Sequence, residues 1–312
     1  MPDIGIVIVT FNSRAEIGAC LEAAIASGAD VVVVDNASSD GTIEEVRRRG
    51  VRLLANSANR GFAAAVNQGF AALTTPFVLL LNPDAQLRGG LDSMAAACRL
   101  PRSAGAGGKL LDSEGRLQVG FMVRQLPDPT VLILEILLLN RIWPNNPVNR
   151  RYRGLQVNYN MRIPVEQPAG AFLMVPRAVW QELGGFDESF FPLWFEDVDF
   201  CRRAIDRGYQ FFYVPEAIAE HRGGHSISQL SVEKRRVYWY GSLLRYSAKH
   251  FRPPAFRAIC LATVVGSLLR ILRETVLQGS FKPLAAYWKV VRHASRCFLF
   301  GWGDDAVIPV PK

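Results

Sequence analysis

The densest group of side chains that could do acid–base chemistry lies at residues 196–199, where three carboxylates fall within four positions. Glu196, Asp197 and Asp199 occupy a predicted helix start, and the helix dipole stabilises acidic side chains there. Asp199 stands one turn before Arg203, so an ion pair within the helix can account for it. Glu196 and Asp197 follow a run of aromatic residues, and apolar surroundings raise the pKa of a carboxyl group. The pattern therefore favours a general base at residue 196 or 197.

Asp84 is the second candidate, because it follows a predicted buried strand and the turn residues Asn82 and Pro83. A carboxylate in that place can bind Mg²⁺ or Mn²⁺, hard cations that take oxygen ligands and also chelate diphosphates. The sequence Asn-Pro-Asp is also common in turns that only end a strand. The residues alone leave both interpretations of Asp84 open.

Two of the four histidines, His221 and His225, stand four residues apart. That spacing suits a pair of metal ligands on one helix face, but Gly223 and Gly224 between them argue against a helix. A single histidine is more often a hydrogen-bonded structural residue than a ligand. The spacing by itself assigns no function to His221.

The elements that would position these residues alternate between strand and helix patterns. Strand patterns occur four times in the first hundred residues, at 4–10, 31–34, 51–55 and 77–81. Helical patterns between them predict βαβ units, and hence an α/β fold with a mainly parallel central sheet flanked by helices. Ligands bind such sheets at the carboxyl ends of the strands. Three polar clusters fall at that edge, at residues 35–41, 59–61 and 82–84.

The composition indicates a globular protein of a reducing compartment. The chain has 312 residues, of which 49% are hydrophobic, enough to bury a large core. Its five cysteines are scattered, odd in number and without a C-x-x-C pair, so we expect no disulfide framework. The N-terminal residues have neither the basic nor the apolar segment of a signal peptide.

No apolar run reaches the roughly 18 uninterrupted residues expected of a membrane span. The nearest candidates are residues 131–139, which Glu135 interrupts, and residues 258–269, which end at Arg270. We therefore expect a chain that does not span a membrane.

Eight motifs occur in the order found in one enzyme family, across residues 3–228. They lie at residues 9–12, 34–42, 59–69, 81–85, 170–174, 185–191, 196–203 and 221–226. In these motifs the sequence resembles the inverting GT-A glycosyltransferases of family 2, and among them the rhamnosyltransferase-like members. The resemblance implies a GT-A fold and the transfer of a sugar from a nucleotide-diphosphate donor to a hydroxyl group.

The resemblance also implies roles for residues in the donor site. Asp35 would accept the ring N–H of a uracil or thymine base, and Asn82 would hydrogen-bond the ribose. Asp84 would bind the divalent cation, Mg²⁺ or Mn²⁺, together with His221. Asn82 replaces the first aspartate of the family's D-x-D motif, so less charge would hold the cation. The other implied nucleotide-sugar-binding positions are Thr10, Asn12, Asn59, Arg60, Gly61 and Asn67.

Asp197 resembles the family's catalytic base, with Glu196 as its neighbour. It would take a proton from the acceptor hydroxyl as that group attacks the anomeric carbon from the face opposite the diphosphate. The cation would offset the charge of the leaving diphosphate. The likeness favours dTDP-rhamnose as the donor and a glycan or polyprenyl-linked glycan as the acceptor. A UDP-sugar donor is the alternative.

Other classes of protein fit the sequence less well. An inactive scaffold that binds nucleotide sugars would be expected to lack Asp84 or Asp197, and both are present; it is kept as a second alternative. A dinucleotide-dependent oxidoreductase would carry G-x-G-x-x-G after the first strand, and residues 10–18 lack it. A processive polysaccharide synthase would require membrane spans.

The positive charge is concentrated in the last quarter of the chain. Residues 229–312 contain 14 lysines and arginines against 4 acidic residues, while the whole chain has a net charge of +8. Aromatic residues are mixed among them, as in helices that lie at an anionic membrane surface. We predict a catalytic domain over residues 1–228 and a helical extension over 229–312 that associates with the cytoplasmic face of the cell membrane. A solvated basic face is the alternative, and we expect no nucleic-acid partner because no such binding motif is present.

Overall fold

The computed structural model describes residues 3–223, 230–278 and 282–303, except for the side chains of 276–278, 282 and 283. The chain forms two compact units. The first comprises Met1–Leu126, Arg153–Ser189 and Glu196–Ser226, and the second comprises Pro127–Tyr152, Phe190–Phe195 and Ile227–Lys312. The predicted domain boundary after residue 228 lies outside the described residues, as do Gly224, His225 and Ser226 of the last motif, so that division stays a prediction.

The first unit alternates strands and helices, as the sequence predicts. Its strands are β1 (Ile4–Thr10), β2 (Asp30–Asp35), β3 (Arg52–Ala55), β4 (Phe77–Leu81), β5 (Ala85–Gly89), β6 (Ser103–Leu111), β7 (Val123–Arg124), β8 (Ile163–Val165), β9 (Gln167–Pro168), β10 (Phe172–Pro176) and β11 (Gln210–His221). The helices of both units, numbered in chain order, are α1 (Arg14–Ala26), α2 (Thr42–Arg48), α3 (Phe62–Ala72), α4 (Leu91–Cys98), α5 (Pro129–Ile136), α6 (Leu139–Ile142), α7 (Pro147–Tyr152), α8 (Arg177–Leu183), α9 (Glu196–Asp206), α10 (Val232–His250), α11 (Pro253–Gln278) and α12 (Lys282–Phe300).

Within the described residues, nine strands form the central sheet. Its order is β3-β2-β1-β4-β10-β6-β11-β5, and β8 pairs with β11. The predicted α/β fold is confirmed, and β3, β2, β1 and β4 are parallel as expected. Strand β10 runs antiparallel to both β4 and β6, and β5 runs antiparallel to β11. Strands β7 and β9 form a separate antiparallel pair.

Strand β1 is buried on both faces, which explains why its sequence is an uninterrupted apolar run. Ile6 and Ile8 pack into the cluster that includes residues of α1 and α4. Val7 and Val9 point to the opposite face and pack with residues of α3, α8 and α9. Each fully buried aliphatic side chain of this kind contributes about 1.5–3 kcal/mol. Two apolar layers therefore hold the sheet and fix the positions of its strand ends.

Strand β6 is able to lie between its neighbours because it is rich in glycine. A Cβ atom at Gly105 would stand 2.5 Å from the carbonyl oxygen of Met174 in β10. A Cβ atom at Gly107 would stand 2.5 Å from Cβ of Pro168 in β9. Both distances are shorter than any ordinary contact, so only glycine fits at these two positions.

In the second unit, α11 continues through Arg270, where the sequence pattern predicted that the apolar run would stop. The guanidinium of Arg270 donates hydrogen bonds to the carbonyl oxygens of Ile136, Gly266 and Glu135, so its charge is accommodated in a buried position. Among the described residues, Pro253–Thr275 is the one helix long and apolar enough to cross a membrane, with a mean hydropathy of 1.8 and 44% of the scored window buried. The core helix of a soluble protein meets the same criteria, so this finding is weak evidence for a span.

Candidate functional site

The carboxyl ends of β1 and β2 carry a hydrogen-bonded network centred on Asp35. The two strands are parallel, and their register places Thr10 beside Asp35. Both residues are fully buried, and Thr10 Oγ1 donates to Asp35 Oδ1 at 2.7 Å. Ser38 donates its hydroxyl to Asp35 Oδ1 at 2.5 Å and its backbone N–H to Oδ2 at 2.8 Å. The carboxylate therefore has a fixed orientation at the sheet edge.

Asn12 joins the loops that follow these two strands. Its backbone is in the left-handed region, with φ of 50°, which asparagine tolerates better than most residues. Its N–H donates to Ser38 Oγ at 2.8 Å, and its Oδ1 accepts from the N–H of Ser39 at 2.8 Å. Asn12 thus supports the loop that contacts Asp35.

The turn before α3 is ordered by Asn36, a residue to which the sequence assigned no separate role. Its side-chain Nδ2 donates to the carbonyl oxygen of Gly61 at 3.0 Å, and its Oδ1 accepts from the N–H of Arg60 at 3.4 Å. Asn59 Oδ1 accepts from the N–H of Gly61 at 2.9 Å. The side chains of Asn59 and Arg60 are exposed, so both can reach a ligand at this edge.

Asn67 has a different environment from the other predicted donor-binding residues. Its Nδ2 donates to the carbonyl oxygen of Phe186 at 2.9 Å, and its Oδ1 accepts from the Phe186 N–H at 2.9 Å. Its Nδ2 also lies 3.0 Å from a carboxylate oxygen of Glu188. The structure therefore pairs the Asn67 amide with residues 186 and 188, and the donor-binding role of Asn67 stays a prediction.

Asp84 and His221 meet at the edge where β5 pairs with the end of β11. The register places His221 opposite Ala85, the residue after Asp84. His221 Nε2 lies 3.5 Å from Asp84 Oδ1 and 3.4 Å from Asn82 Nδ2. Both Asp84 and His221 are buried. The structure therefore brings together Asn82, Asp84 and His221, although 139 positions separate the first from the last.

The environment of Asp84 keeps its carboxylate ionised. Burial by itself would raise the pKa of Asp84, but the hydrogen bond and charge of His221 and the backbone N–H of Gly223 outweigh burial and lower the pKa below its ordinary value. An ionised carboxylate is the form that binds a cation.

The same pair fits a divalent cation. Because Mg²⁺ holds its ligands at about 2.1 Å, two ligands of one ion stand no more than about 4.2 Å apart, and the 3.5 Å between Asp84 Oδ1 and His221 Nε2 satisfies that condition. No group of three or more His, Cys, Asp and Glu side chains that could hold a metal exists among the described residues. A cation bound by Asp84 and His221 would thus need further ligands from a substrate or water, as Mg²⁺ ordinarily does.

Gln118 and Phe121 complete the surroundings of His221, and no sequence signal pointed to either. Gln118 Oε1 lies 3.0 Å from His221 Nδ1, and Gln118 Nε2 donates to the His221 carbonyl oxygen at 2.6 Å. The ring of Phe121 stacks on the imidazole with 5.2 Å between centroids and 7° between planes. These contacts fix the ring orientation.

Asp197 lies in the first turn of α9, and backbone donors surround its carboxylate. Its Oδ1 accepts from the N–H of Val198 at 2.8 Å, and its Oδ2 accepts from the N–H of Gly170 at 3.1 Å. Gln167 Nε2 lies 3.4 Å from the same Oδ2. Burial raises the pKa of Asp197, although the backbone donors and the charge of Arg124 act in the opposite direction. The result is a carboxylate that accepts a proton more readily than an exposed one.

Glu196 is a buried acidic residue with an oxygen atom that is unpartnered within the described structure. Only 6% of its surface is exposed, and its Oε2 has no hydrogen-bond partner among the described residues. Burial and the neighbouring charge of Asp197 raise the pKa of Glu196 well above its ordinary value. Gln167 is similar, with 4% exposure and an Oε1 without a partner in the described part of the chain. Buried polar atoms without partners are uncommon, and a bound water or ligand is one way to satisfy them.

Asp199, by contrast, has a structural environment. It is fully buried and forms an ion pair with Arg203 at 2.7 Å. Arg203 also donates to the carbonyl oxygens of Leu183 and Gly185 at 2.6 and 2.7 Å. The ion pair that the sequence predicted therefore ties α9 to the end of α8.

Gly170 and Ala171 connect Asp197 to the turn that carries Asn82 and Asp84. The N–H of Gly170 donates to Asp197, and the carbonyl oxygen of Ala171 accepts from the N–H of Asn82 at 3.0 Å. Strands β2, β1 and β4 are adjacent, so the ends that carry Asp35 and Asn82 are separated by about 10 Å, two strand spacings. The residues near positions 35, 84, 197 and 221 thus lie along one edge of one compact unit. Their individual roles stay predictions.

Known proteins resemble this chain in sequence and in fold. The family profile described as Glycosyl transferase family 2 matches residues 5–106, and that described as Glycosyl transferase family group 2 matches residues 151–301. A relative from Mycobacterium tuberculosis (strain CDC 1551 / Oshkosh), N-acetylglucosaminyl-diphospho-decaprenol L-rhamnosyltransferase, is 31% identical over 248 residues, which are 70% of this chain and 79% of the relative.

Two solved structures share the fold at low sequence identity. The mannosyltransferase PcManGT from Pyrobaculum calidifontis, solved with GDP-Man and Mn²⁺, has a TM-score of 0.54 at 16% identity and covers 97% of this chain and 88% of its own. GalNAc-T7, solved with UDP, GalNAc and Mn²⁺, has a TM-score of 0.52 at 15% identity and covers 70% of this chain and 43% of its own.

The fold and the relatives together define the class of the protein, a glycosyltransferase with the GT-A fold. Within that class, the chain belongs to glycosyltransferase family 2 and resembles its rhamnosyltransferase members.

Proposed function

We propose that this glycosyltransferase moves rhamnose from dTDP-rhamnose to a hydroxyl group of a lipid-linked glycan, with inversion at the anomeric carbon and with a divalent cation. The observation that carries the proposal is the arrangement of Asp84, His221 and Asp197 along one sheet edge, joined through Gly170 and Ala171. The relative from M. tuberculosis, whose name specifies a rhamnosyltransferase acting on a polyprenyl-diphosphate-linked sugar, supports this donor and acceptor.

The nucleotide would bind at the ends of β1 and β2. Each oxygen of a carboxylate can accept two hydrogen bonds, so Asp35 can still accept the ring N–H of the base while it holds Thr10 and Ser38. Uracil and thymine both present that N–H, and a UDP-sugar donor therefore remains the alternative. The exposed Asn59 and Arg60 would contact the nucleotide from the turn before α3.

Asp84 and His221 would hold Mg²⁺ or Mn²⁺, and the Mn²⁺ bound in two structural relatives supports this assignment. When bound, the cation supplies positive charge against the diphosphate that leaves the sugar. Asn82 lies next to His221 but is uncharged. Within the described residues at this edge, Asp84 would therefore be the one charged protein ligand of the cation.

Asp197 would act as the general base. It would take the proton of the acceptor hydroxyl while the hydroxyl oxygen bonds to the anomeric carbon and the electron pair of the broken C–O bond leaves with the diphosphate. The backbone donors Gly170 and Val198 keep the Asp197 carboxylate oriented before the acceptor binds. Burial and the charge of Asp197 raise the pKa of the neighbouring Glu196 well above its ordinary value, which disfavours a second negative charge beside the base.

We also propose that the second unit associates with the cytoplasmic face of the membrane. Along α11, Leu261, Val265, Leu268 and Leu272 are exposed at a spacing that places them on one helix face. The basic residues of the C-terminal region would attract anionic lipid, about 1 kcal/mol for each charge near the surface. Leu268→Asp should weaken sedimentation with phosphatidylglycerol vesicles, and Ile25→Asp, a matched change on the exposed side of α1, should not. Equal sedimentation of the two variants would contradict the assignment.

Two experiments test the catalytic proposal. A thermal-shift panel of nucleotide sugars, with and without Mn²⁺, should give the largest stabilisation with dTDP-rhamnose, because a ligand of the folded state stabilises it by mass action. Stabilisation by UDP-sugars alone would favour the alternative donor. The Asp197→Ala variant should bind the donor but not transfer the sugar. Normal turnover by this variant would exclude Asp197 as the base, and binding without turnover by the wild-type protein would favour an inactive scaffold.

A further inference from the structure

The loop after β6 places Gln118 beside the last residue of β11. The N–H of Gln118 donates to the carbonyl oxygen of Leu110 at 3.0 Å, and its own carbonyl accepts from the N–H groups of Phe121 and Met122 at 3.1 Å. Strand β6 is parallel to β11, and Leu111 pairs with Glu220, the residue before His221. The backbone of Gln118 is therefore fixed to the strand next to the one that carries His221.

The two polar atoms of the Gln118 side chain both contact His221. The side-chain nitrogen donates to the backbone carbonyl of His221 at 2.6 Å. Because a carbonyl can only accept a hydrogen bond, this contact assigns the orientation of the amide. The amide oxygen then faces Nδ1 of the imidazole at 3.0 Å. An amide oxygen cannot donate, so Nδ1 carries a proton.

The opposite nitrogen of the ring faces the cation-binding side. His221 Nε2 lies 3.4 Å from Asn82 Nδ2, which is a donor, and 3.5 Å from Asp84 Oδ1. The stacked ring of Phe121 opposes rotation of the imidazole out of this plane. Because the contact with Gln118 keeps the proton on Nδ1, Nε2 is the nitrogen on the Asp84 side, and it is the one left to bind a metal whenever the ring is neutral.

We propose that Gln118 is a positioning residue for the metal site, which holds His221 in the Nδ1–H tautomer with Nε2 directed at the cation. This inference rests on the proposed function, because it assigns a supporting residue to the cation that Asp84 and His221 would bind. Outer partners of metal-binding histidines typically change metal affinity by about 10- to 100-fold when they are removed.

The tautomer can be measured without any metal. Long-range ¹H–¹⁵N correlation spectra of the histidine rings, recorded at a pH where the His221 ring is neutral and with His221 assigned by its loss in His221→Asn, should show the Nδ1–H form in the wild-type protein. Gln118→Met removes both contacts at nearly constant volume and should shift His221 toward the Nε2–H form. Gln118→Glu keeps an acceptor against Nδ1 and should keep the Nδ1–H form. An Nε2–H tautomer in the wild-type protein, or the same tautomer in both variants, would overturn the inference.

Metal affinity provides the second measurement. Mn²⁺ binding in the presence of dTDP and, separately, of UDP should weaken about 10- to 100-fold in Gln118→Met. Gln181→Met, an exposed glutamine of α8, is the matched control and should bind like the wild-type protein. Affinity lost in His221→Asn but unchanged in Gln118→Met would overturn this inference while leaving the metal site in place. If the wild-type protein bound no Mn²⁺ with either nucleotide, the metal part of the proposed function would fail as well.

Discussion

The two acidic groups of the site, Asp84 beside His221 and the Glu196–Asp197 pair at the start of α9, have surroundings that shift their pKa values in opposite directions. Asp84 has a histidine partner, and its pKa lies below the ordinary value in spite of burial. Glu196 and Asp197 have no such partner in the described chain that outweighs burial, and the pKa of each lies above the ordinary value. The histidine next to Asp84 therefore distinguishes the direction of its pKa shift from the shifts of Glu196 and Asp197.

This difference separates two chemical tasks within one edge of the sheet. A metal ligand has to remain charged before the cation arrives, and a general base has to bind a proton during the reaction. Carboxylates placed in unlike environments can perform both tasks at the same pH. Substitutions at either group test this difference. A change at Asp84 should impair metal binding, and a change at Asp197 should impair proton transfer.

The largest effect is expected from Asp197→Asn, which removes the proton acceptor and preserves the shape of the side chain. We expect kcat to fall by about 10²- to 10⁴-fold, with donor binding unchanged in calorimetry. Because burial raises the pKa of Asp197, the acid limb of the wild-type pH–rate profile should lie above the pKa of about 3.9 of a free aspartate. A limb at that ordinary value, or an unchanged kcat in the variant, would contradict the assigned role.

Asp84→Asn should act on metal binding and not on proton transfer. It removes the charged protein ligand next to His221 and leaves two neutral amides at positions 82 and 84. We expect Mn²⁺-dependent donor binding to fall by more than the about 10- to 100-fold typical of outer partners. Calorimetry with donor and Mn²⁺ measures the change, and donor titration without metal is the control. Equal Mn²⁺-dependent binding in variant and wild type would remove Asp84 from the cation site.

A smaller effect is expected from Gly170→Ala, which perturbs the base without removing it. A Cβ atom there would stand 3.2 Å from Cβ and Oδ2 of Asp197, so the carboxylate would have to move by a few tenths of an ångström. We expect a several-fold lower kcat with unchanged Mn²⁺ affinity. Gly303→Ala, where a Cβ atom would meet nothing within 4 Å, is the matched control. Loss of metal affinity in Gly170→Ala would show that the two groups are not independent.

The smallest effect concerns stability. Because the pKa of Glu196 is raised in the folded state, the unfolded chain loses this proton first as the pH rises above about 4.3, and folding loses stability in that range. Glu196→Gln avoids this cost, so we expect the variant to melt a few degrees above the wild-type protein at pH 8 and to show no gain at pH 4. Melting curves at the two pH values measure the difference. A gain that did not depend on pH would point to packing as its cause.

The sequence predicted the fold well because its signals are local. The strands β1 to β4 are apolar runs bounded by turn residues, and the structure confirms all four with boundaries within one residue. The antiparallel placement of β10 beside β4 was not predictable, since the paired residues are 91 to 99 positions apart. The continuation of α11 through Arg270 also escaped prediction, because carbonyl groups of residues 135 and 136 satisfy the guanidinium.

The candidate site shows the same limit. Asp35, Asp84, Asp197 and His221 could be selected because each stands in a recognisable motif. Gln118 stands in no motif, and its contact with His221 spans 103 positions, so only coordinates reveal it. Asn67 also stands in a motif, but the hydrogen bonds of its amide to the backbone of Phe186 could not be predicted from that motif.

Substitutions at Gly107 should disturb the site although Gly107 itself is not proposed to contact a substrate. Any side chain at this position would press on Pro168, the neighbour of Gln167, whose amide lies against Asp197. In a saturation library scored by product formation, position 107 should therefore behave like part of the catalytic centre. Substitutions meant to change the acceptor should therefore preserve activity more often at exposed loop positions than in the glycine-rich strand β6.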